Sequence, residues 1–398
     1  MTENAALISD PTTIFIYLTG AVALVFILSE VKQLKKLFHY MPPVIWVYFV
    51  PMLSTTIGIL PDSSPVYSWL IRYLLPFSLI LMLLSADLPE IMKLGKTALT
   101  MMLAGTFGIV IGAPIALMIF LKWTPEGIWK GMGMLSGSWI GGTANMMAIA
   151  EGIGTPAAMY GPVIVVDTVV GYGWMGLIIL LSSFQAKFDK WTGADRTILD
   201  KVRDNLKEVQ VSRSKPITLR DLSLMLGLGF PAAYMFLRLG DLLPNIGGIV
   251  SSFTWTVIFA SLFGVVLSFT KVSRLEDAGA SKIGYMALYL LLASVGARAD
   301  LGLLADAPVF AGIGVVWLMV HGAVLLGTAK LIKAPMFFFA TGSQANVGGA
   351  ATAPIVAEVY SPSMAPVGLM MAVLGYVIGV YPGLLVAWLC RMVEMTMR

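Results

Sequence analysis

Apolar runs of about twenty residues, the length that crosses a bilayer as a helix, recur along the whole of this 398-residue chain. They fall near 14–30, 43–60, 66–86, 97–121, 156–184, 219–239, 249–270, 282–299, 308–330 and 364–390. The pattern predicts an all-α membrane protein with about ten full spans. Two further segments, about 128–152 and 335–358, are apolar but interrupted by Gly, Ser, Thr and Asn. The one long polar stretch, about 187–221, carries nine of the 26 Lys and Arg residues, among them Lys201, Arg203, Lys207 and Arg213. It divides the chain into two membrane halves and reads as a partly helical cytoplasmic linker.

The two interrupted segments repeat each other. Gly141-Gly142-Thr143-Ala144-Asn145-Met146-Met147-Ala148-Ile149-Ala150-Glu151 matches Gly348-Gly349-Ala350-Ala351-Thr352-Ala353-Pro354-Ile355-Val356-Ala357-Glu358 at five of eleven positions. A Gly-Ser pair precedes each (Gly137-Ser138, Gly342-Ser343), and a hydroxyl-Pro pair follows (Thr155-Pro156, Ser361-Pro362). A shorter echo joins Ser85-Ala86-Asp87-Leu88 to Arg298-Ala299-Asp300-Leu301. Unwound backbone at membrane depth survives only where protein or a cavity satisfies it, so a duplicated break points to a solute site.

Charge fixes the expected topology. Lys32, Lys35, Lys36, Lys93, Lys96, the linker, Lys271, Arg274, Lys282, Lys330 and Lys333 belong on the cytoplasmic side. They all fall there if both interrupted segments are re-entrant hairpins; full crossings would place the linker outside. The hairpin count leaves Lys122, Lys130, Arg391 and Arg398 outside and puts both termini outside. It also gives the halves opposite orientation, an inverted repeat; crossed broken helices are the alternative to hairpins for the two discontinuous segments. The divisions are 1–186 (scaffold spans within 14–60, core 66–184), the linker 187–221, and 222–398 (scaffold to 270, core 282–390).

Candidate chemistry concentrates in the repeats. Gly141, Gly142, Gly348 and Gly349 let backbone approach a ligand, and half-helices meeting there aim N–H groups at an anion and C=O groups at a cation. Thr143, Asn145, Ser343, Gln344 and Asn346 are candidate substrate ligands beside those glycines. Asp167, Asn145, Asn346 and Thr352 are candidate ion ligands, since hard cations take oxygen donors. Asp167 lies deep in its span, where a carboxylate costs roughly 2.5–3.5 kcal/mol and needs a partner. It reads as a sodium ligand or proton carrier; the bland reading is a structural hydrogen bond. Glu151 and Glu358 fit a helix cap as well as a binding role. Arg298 and Asp300 fit snorkelling or mutual pairing, also with Asp87. Arg72, near a span start, is the best intramembrane candidate for gripping a substrate carboxylate. His321 fits hydrogen-bonded packing better than a proton relay, and His39 belongs to the basic turn.

Composition supports the membrane reading. Apolar residues make up 58% and charged residues 12%, about half the charge of a soluble domain. One cysteine, Cys390, excludes an internal disulfide framework. The first apolar run has no basic region before it and no cleavage site behind it, so it is expected to be retained. The net charge of +4 fits cytoplasmic loops and implies no nucleic-acid partner. No phosphate-cradling loop, metal-protease helix or nucleophile elbow occurs, which disfavours direct ATP use and catalysis. No cofactor is expected beyond a coupling ion.

The GGTANM and SQANVGG motifs, the aspartate in the following span and the chain length resemble the YjcL-like family of uncharacterised bacterial membrane proteins. That family is similar in organisation to sodium–glutamate and sodium–2-hydroxycarboxylate symporters and, more distantly, to cation–proton antiporters and bile-acid symporters. The resemblance implies a bacterial inner-membrane protein, discontinuous tips at Gly141–Asn145 and Ser343–Gly349, and a mobile core moving against a scaffold that forms a homodimer. The GGHGT form of the glutamate carriers is absent, and so are the paired acids of many antiporters. The expected function is ion-coupled, sodium-driven transport of a small organic anion or zwitterion. The alternative is a cation–proton antiporter using Asp167.

Overall fold

The computed structural model describes residues 6–41, 43–86, 91–195, 197, 199, 202, 215–298, 307–361 and 364–398. Asp87, Leu88, Ala299, Asp300, Leu301, Lys201, Arg203, Lys207, Arg213 and Pro362 lie outside the described residues. Among those described, no strand forms and the chain is built of helices. The first half comprises α1 (Pro11–Glu30), α2 (Lys35–Tyr40), α3 (Pro43–Thr56), α4 (Pro65–Leu83), α5 (Gly95–Phe120), α6 (Ile128–Gly152), α7 (Ala157–Leu180) and α8 (Gln185–Thr192). The second comprises α9 (Leu219–Asp241), α10 (Ser252–Ser268), α11 (Ala280–Gly296), α12 (Ala307–Leu331), α13 (Met336–Val347), α14 (Gly349–Tyr360), α15 (Ala365–Ile378) and α16 (Val380–Met397). Among the described residues, six helical stretches are long and apolar enough to cross a membrane, or up to nine if each of three bent pairs is one span.

Local chemistry sets the helix starts. Asp10 accepts from Thr13 N with Pro11 in the first turn of α1, and Ser64 caps α4 ahead of Pro65. Thr218 with Asp221, and Ser251 with Thr254, form reciprocal caps on α9 and α10. Between apolar helices, small residues allow close approach where lipid gives no hydrophobic drive. Helices α5 and α12 show this: a Cβ on Gly108 would stand 2.9 Å from His321 Cα, and one on Gly112 would stand 2.7 Å from the Trp317 ring. Trp317 Nε1 donates to Ile109 O at 2.7 Å across the same seam. Helices α4 and α11 form a second close pair.

The helix ends gather at two faces. At one, Thr55 Oγ1 donates to Ala297 O (2.9 Å), Arg72 meets Asp241 (3.5 Å), Ser251 Oγ donates to Gly152 O (2.5 Å) and Arg391 reaches Gly247 O. At the other, Lys215 N donates to Asp277 O (2.8 Å), Lys330 Nζ reaches Trp191 O, and Ile91, Leu94, Leu199, Val202, Met336, Tyr360 and Met364 share one apolar cluster.

Both interrupted segments fold back on themselves. Helix α6 breaks at Gly141 (φ −140°, ψ 15°) and Gly142 (φ 74°, ψ −176°). Beyond the break the chain returns alongside: a Cβ on Gly137 would stand 2.8 Å from both Asn145 O and Met146 Cα. A straight helix would hold residues 137 and 146 about 13 Å apart. Lys130 Nζ donates to Gly154 O at 2.9 Å, so both feet of this hairpin share one face. Helices α13 and α14 join at Gly348 and pack together. Their feet sit at the opposite face, where Met336 N donates to Asp189 Oδ1 (2.8 Å) and Tyr360 OH to Ile178 O (2.5 Å).

The segment near 364–390, expected as one span, is two helices bent by 59° after Ile378. Pro382 has no N–H to offer the Ile378 carbonyl, which interrupts the helical ladder there. Gly379 leaves room at the bend for Asn145 and the backbone of Gly141.

Candidate solute and ion site

The tips of the two hairpins face one cavity of about 460 Å3. From the first half it is lined by Gly141, Gly142, Thr143, Ala144, Ser138 and Asp167. From the second come Gln344, Gly348, Gly349, Ala350 and Thr352. Four tyrosines also line it, Tyr172 on α7, Tyr285 and Tyr289 one turn apart on α11, and Tyr376 on α15, and Pro43, Val44 and Met82 from α3 and α4 close another side. At each tip a helix ends and another begins, so carbonyl and N–H groups both point toward the opening.

Backbone geometry at the tips requires glycine. Gly142 has positive φ with ψ near 180°, a region open in practice only to glycine, and a Cβ there would meet Tyr376 at 2.9 Å. Gly349 has φ +58° beside the Tyr376 hydroxyl. That hydroxyl accepts from Ala350 N and from Tyr285 OH, each at 3.2 Å, tying the second tip to α15 and α11.

Asp167 is the only acidic or basic side chain among the described residues of the cavity wall. Ser138, on the first arm of its own hairpin, donates to Asp167 Oδ2 at 2.8 Å. Gln344 is buried; its Nε2 donates to Thr352 Oγ1 at 2.7 Å, while Oε1 has no hydrogen-bond partner among the described residues. A buried acceptor without a donor is costly unless something fills the gap. Carboxylate, hydroxyl and amide oxygens are the donor set that a hard monovalent cation takes. No group of three or more His, Cys, Asp or Glu side chains able to hold a metal occurs among the described residues.

Three expected site residues point elsewhere. Asn145 is buried, and its Nδ2 donates to Tyr376 O (3.1 Å) and Gly375 O (3.4 Å). It fastens the first hairpin to the bend between α15 and α16. Asn346 is fully buried; Thr106 Oγ1 donates to its Oδ1 (2.8 Å), and its Nδ2 donates to Met102 O (3.1 Å) and Gly342 O (2.9 Å). It braces α13 against α5. Ser343 Oγ accepts from Trp174 Nε1 (2.8 Å) and bonds His321 Nε2 (2.9 Å), while His321 Nδ1 bonds Gly105 O (2.9 Å). A carbonyl only accepts, so Nδ1 carries the ring proton in this network. These three support the tips from behind and do not face the cavity.

The hairpin glutamates lie away from the tips. Glu151 accepts from Tyr160 OH at 2.7 Å and borders a second cavity of about 350 Å3 with Arg72, Asp241 and Arg298. Glu358 is exposed. Arg72 therefore stands at that second cavity and not with Asp167. Sequence reasoning missed the tyrosines and the part played by Ser138. Only the i, i+4 spacing of Tyr285 and Tyr289 hinted at a shared face.

A family model described as "Protein of unknown function (DUF819)" matches residues 15–393. The chain is also similar to the "Uncharacterized membrane protein YjcL" of Bacillus subtilis (strain 168): 26% identical over 351 residues, covering 83% of this chain and 85% of that protein.

Proposed function

The chain belongs to the DUF819 family of proteins of unknown function, as a multi-pass membrane protein, and we propose that it is a sodium-coupled secondary transporter. Its solute is a small organic anion or zwitterion, such as an amino acid, short peptide or carboxylate. The observation that carries this reading is a cavity lined by hairpin tips from both halves, with one carboxyl group and a buried amide oxygen that has no hydrogen-bond partner among the described residues. Its volume falls in the range of small-molecule sites, about 300–1,000 Å3.

The architecture in this proposal is an inverted repeat of ten spans with two re-entrant hairpins. In its favour, helix ends alternate between the two faces, and the hairpins stand on opposite ones. Helix α4 pairs with α11, and α5 with α12, each with its expected counterpart in the other half. The spans α1 to α3 and α9 to α10 form the scaffold and the dimer surface in this reading. The second reading, a cation–proton antiporter, uses the same Asp167 and no organic solute.

Thermal unfolding of the purified protein separates them. Amino acids, short peptides and carboxylates are each added in sodium chloride and in choline chloride. A ligand at 100 times its Kd stabilises the native state by about 2.7 kcal/mol. One solute class should raise the midpoint in sodium and not in choline. The reading fails if no solute acts together with sodium while vesicles exchange sodium for protons without solute.

A further inference from the structure

Each hairpin enters its first arm through a residue that offers no cap. Gly127 has no side chain, and Pro335 has no donor or acceptor beyond its carbonyl. In both places a buried carboxylate from just beyond the last span of the opposite half supplies the missing acceptor. Glu394, near the end of α16, accepts from Gly127 N (2.7 Å) and Trp129 N (3.4 Å) at the foot of the first hairpin. Asp189, on α8, accepts from Met336 N (2.8 Å) at the foot of the second. Both are more than nine-tenths buried.

The surroundings match as well. Arg398 donates to Glu394 Oε1 (3.1 Å), to Leu121 O (3.2 Å) and to Thr124 Oγ1 (3.1 Å), tying α16 to the end of α5. Lys330, at the end of α12, donates to Trp191 O, tying it to α8. So each contact joins the same three parts: the foot of a hairpin, the end of the helix before it, and the segment after the last span of the other half.

We propose that Glu394 and Asp189 are paired positioning residues, one per half, that lock each hairpin to the opposite half and set how far its tip reaches into the cavity. The arrangement follows from which groups lack partners. A helix start leaves N–H groups unsatisfied, and a carboxylate there is favoured by both hydrogen bonding and the helix dipole. A cap on the same segment would fix the arm's own helix alone. A cap from across the repeat also fixes the arm's depth, because α16 and α8 are themselves continuous with spans that wall the cavity. The inference rests on the hairpin geometry and stands whether or not sodium is the coupling ion.

Thiol labelling tests it in membrane vesicles. Cys390, the chain's single cysteine, is fully buried and can stay in place. Reporters at the tips are Thr143→Cys for the first hairpin and Ala350→Cys for the second. Glu394→Ala should speed labelling at Thr143→Cys at least about five-fold, the population change that loss of one helix cap allows. It should leave Ala350→Cys at its original rate. Asp189→Ala should do the reverse. Asp189→Asn keeps an acceptor oxygen and should label like the unsubstituted protein. If an alanine variant fails to accumulate, Arg398→Gln removes the cation that holds Glu394 in place and Lys330→Gln removes the tie between α12 and the helix carrying Asp189; each should then accelerate labelling at the same tip as the alanine variant, to a smaller extent. Unchanged labelling at the hairpin that lost its cap would overturn the proposal. So would equal acceleration at both tips, which is what general loosening of the fold produces.

Discussion

Replacing Asp167 by asparagine should remove sodium-dependent stabilisation while leaving a folded protein. The substitution keeps the shape and the Ser138 hydrogen bond but deletes the one charge among the described residues of the cavity wall. A cation held among oxygens loses most from the loss of its only anionic ligand. At sodium concentrations near 100 times Kd, stabilisation of about 2.7 kcal/mol should vanish. The unsubstituted protein should show a pH dependence that the variant lacks. A carboxylate binds a cation only when deprotonated, so the sodium effect should fade as pH falls and return as it rises. In Asp167→Asn the midpoint should be indifferent to sodium at every pH. A variant that unfolds easily, yet whose folded fraction keeps the full sodium response, would make Asp167 a structural residue.

The second large effect concerns the first tip. Gly142→Ala should destabilise the protein and close part of the cavity. The positive φ with ψ near 180° costs a non-glycine residue about 1–3 kcal/mol, and the new Cβ would stand 2.9 Å from Tyr376. Gly176→Ala is the matched control. It sits in α7, where nothing lies within 4 Å of a Cβ, and alanine in a helix gains about 0.5–1 kcal/mol over glycine. Thermal midpoints should therefore move in opposite directions, and only Gly142→Ala should lose sodium-dependent stabilisation. Equal shifts would show that the tip geometry is not what the fold depends on.

The hairpins were legible in the sequence because their cause is local. Paired glycines weaken a helix, and both pairs inside the interrupted apolar segments mark a break in the structure. The direction of Asn145 and Asn346 was not legible. An amide beside a glycine break serves a ligand or a neighbouring backbone equally well, and the choice here is made by partners 230 and 240 residues away, Gly375 and Thr106. The tyrosines were hidden for a related reason. A tyrosine in an apolar run reads as a membrane-interface residue until helix rotation turns it inward. The bend after Ile378 escaped notice because Pro and Gly are ordinary in membrane helices, and nothing local says which of them breaks the span.

In the proposed transporter one cation site is built from both halves. Equilibrium binding of radioactive sodium to the purified protein tests it most directly, with Asp167→Asn from the first half and Thr352→Val from the second. Saturable binding is expected for the unsubstituted chain, with its loss in Asp167→Asn and a clear drop in affinity in Thr352→Val. Absence of saturable binding to the unsubstituted chain, or equal binding in all three proteins, would contradict it.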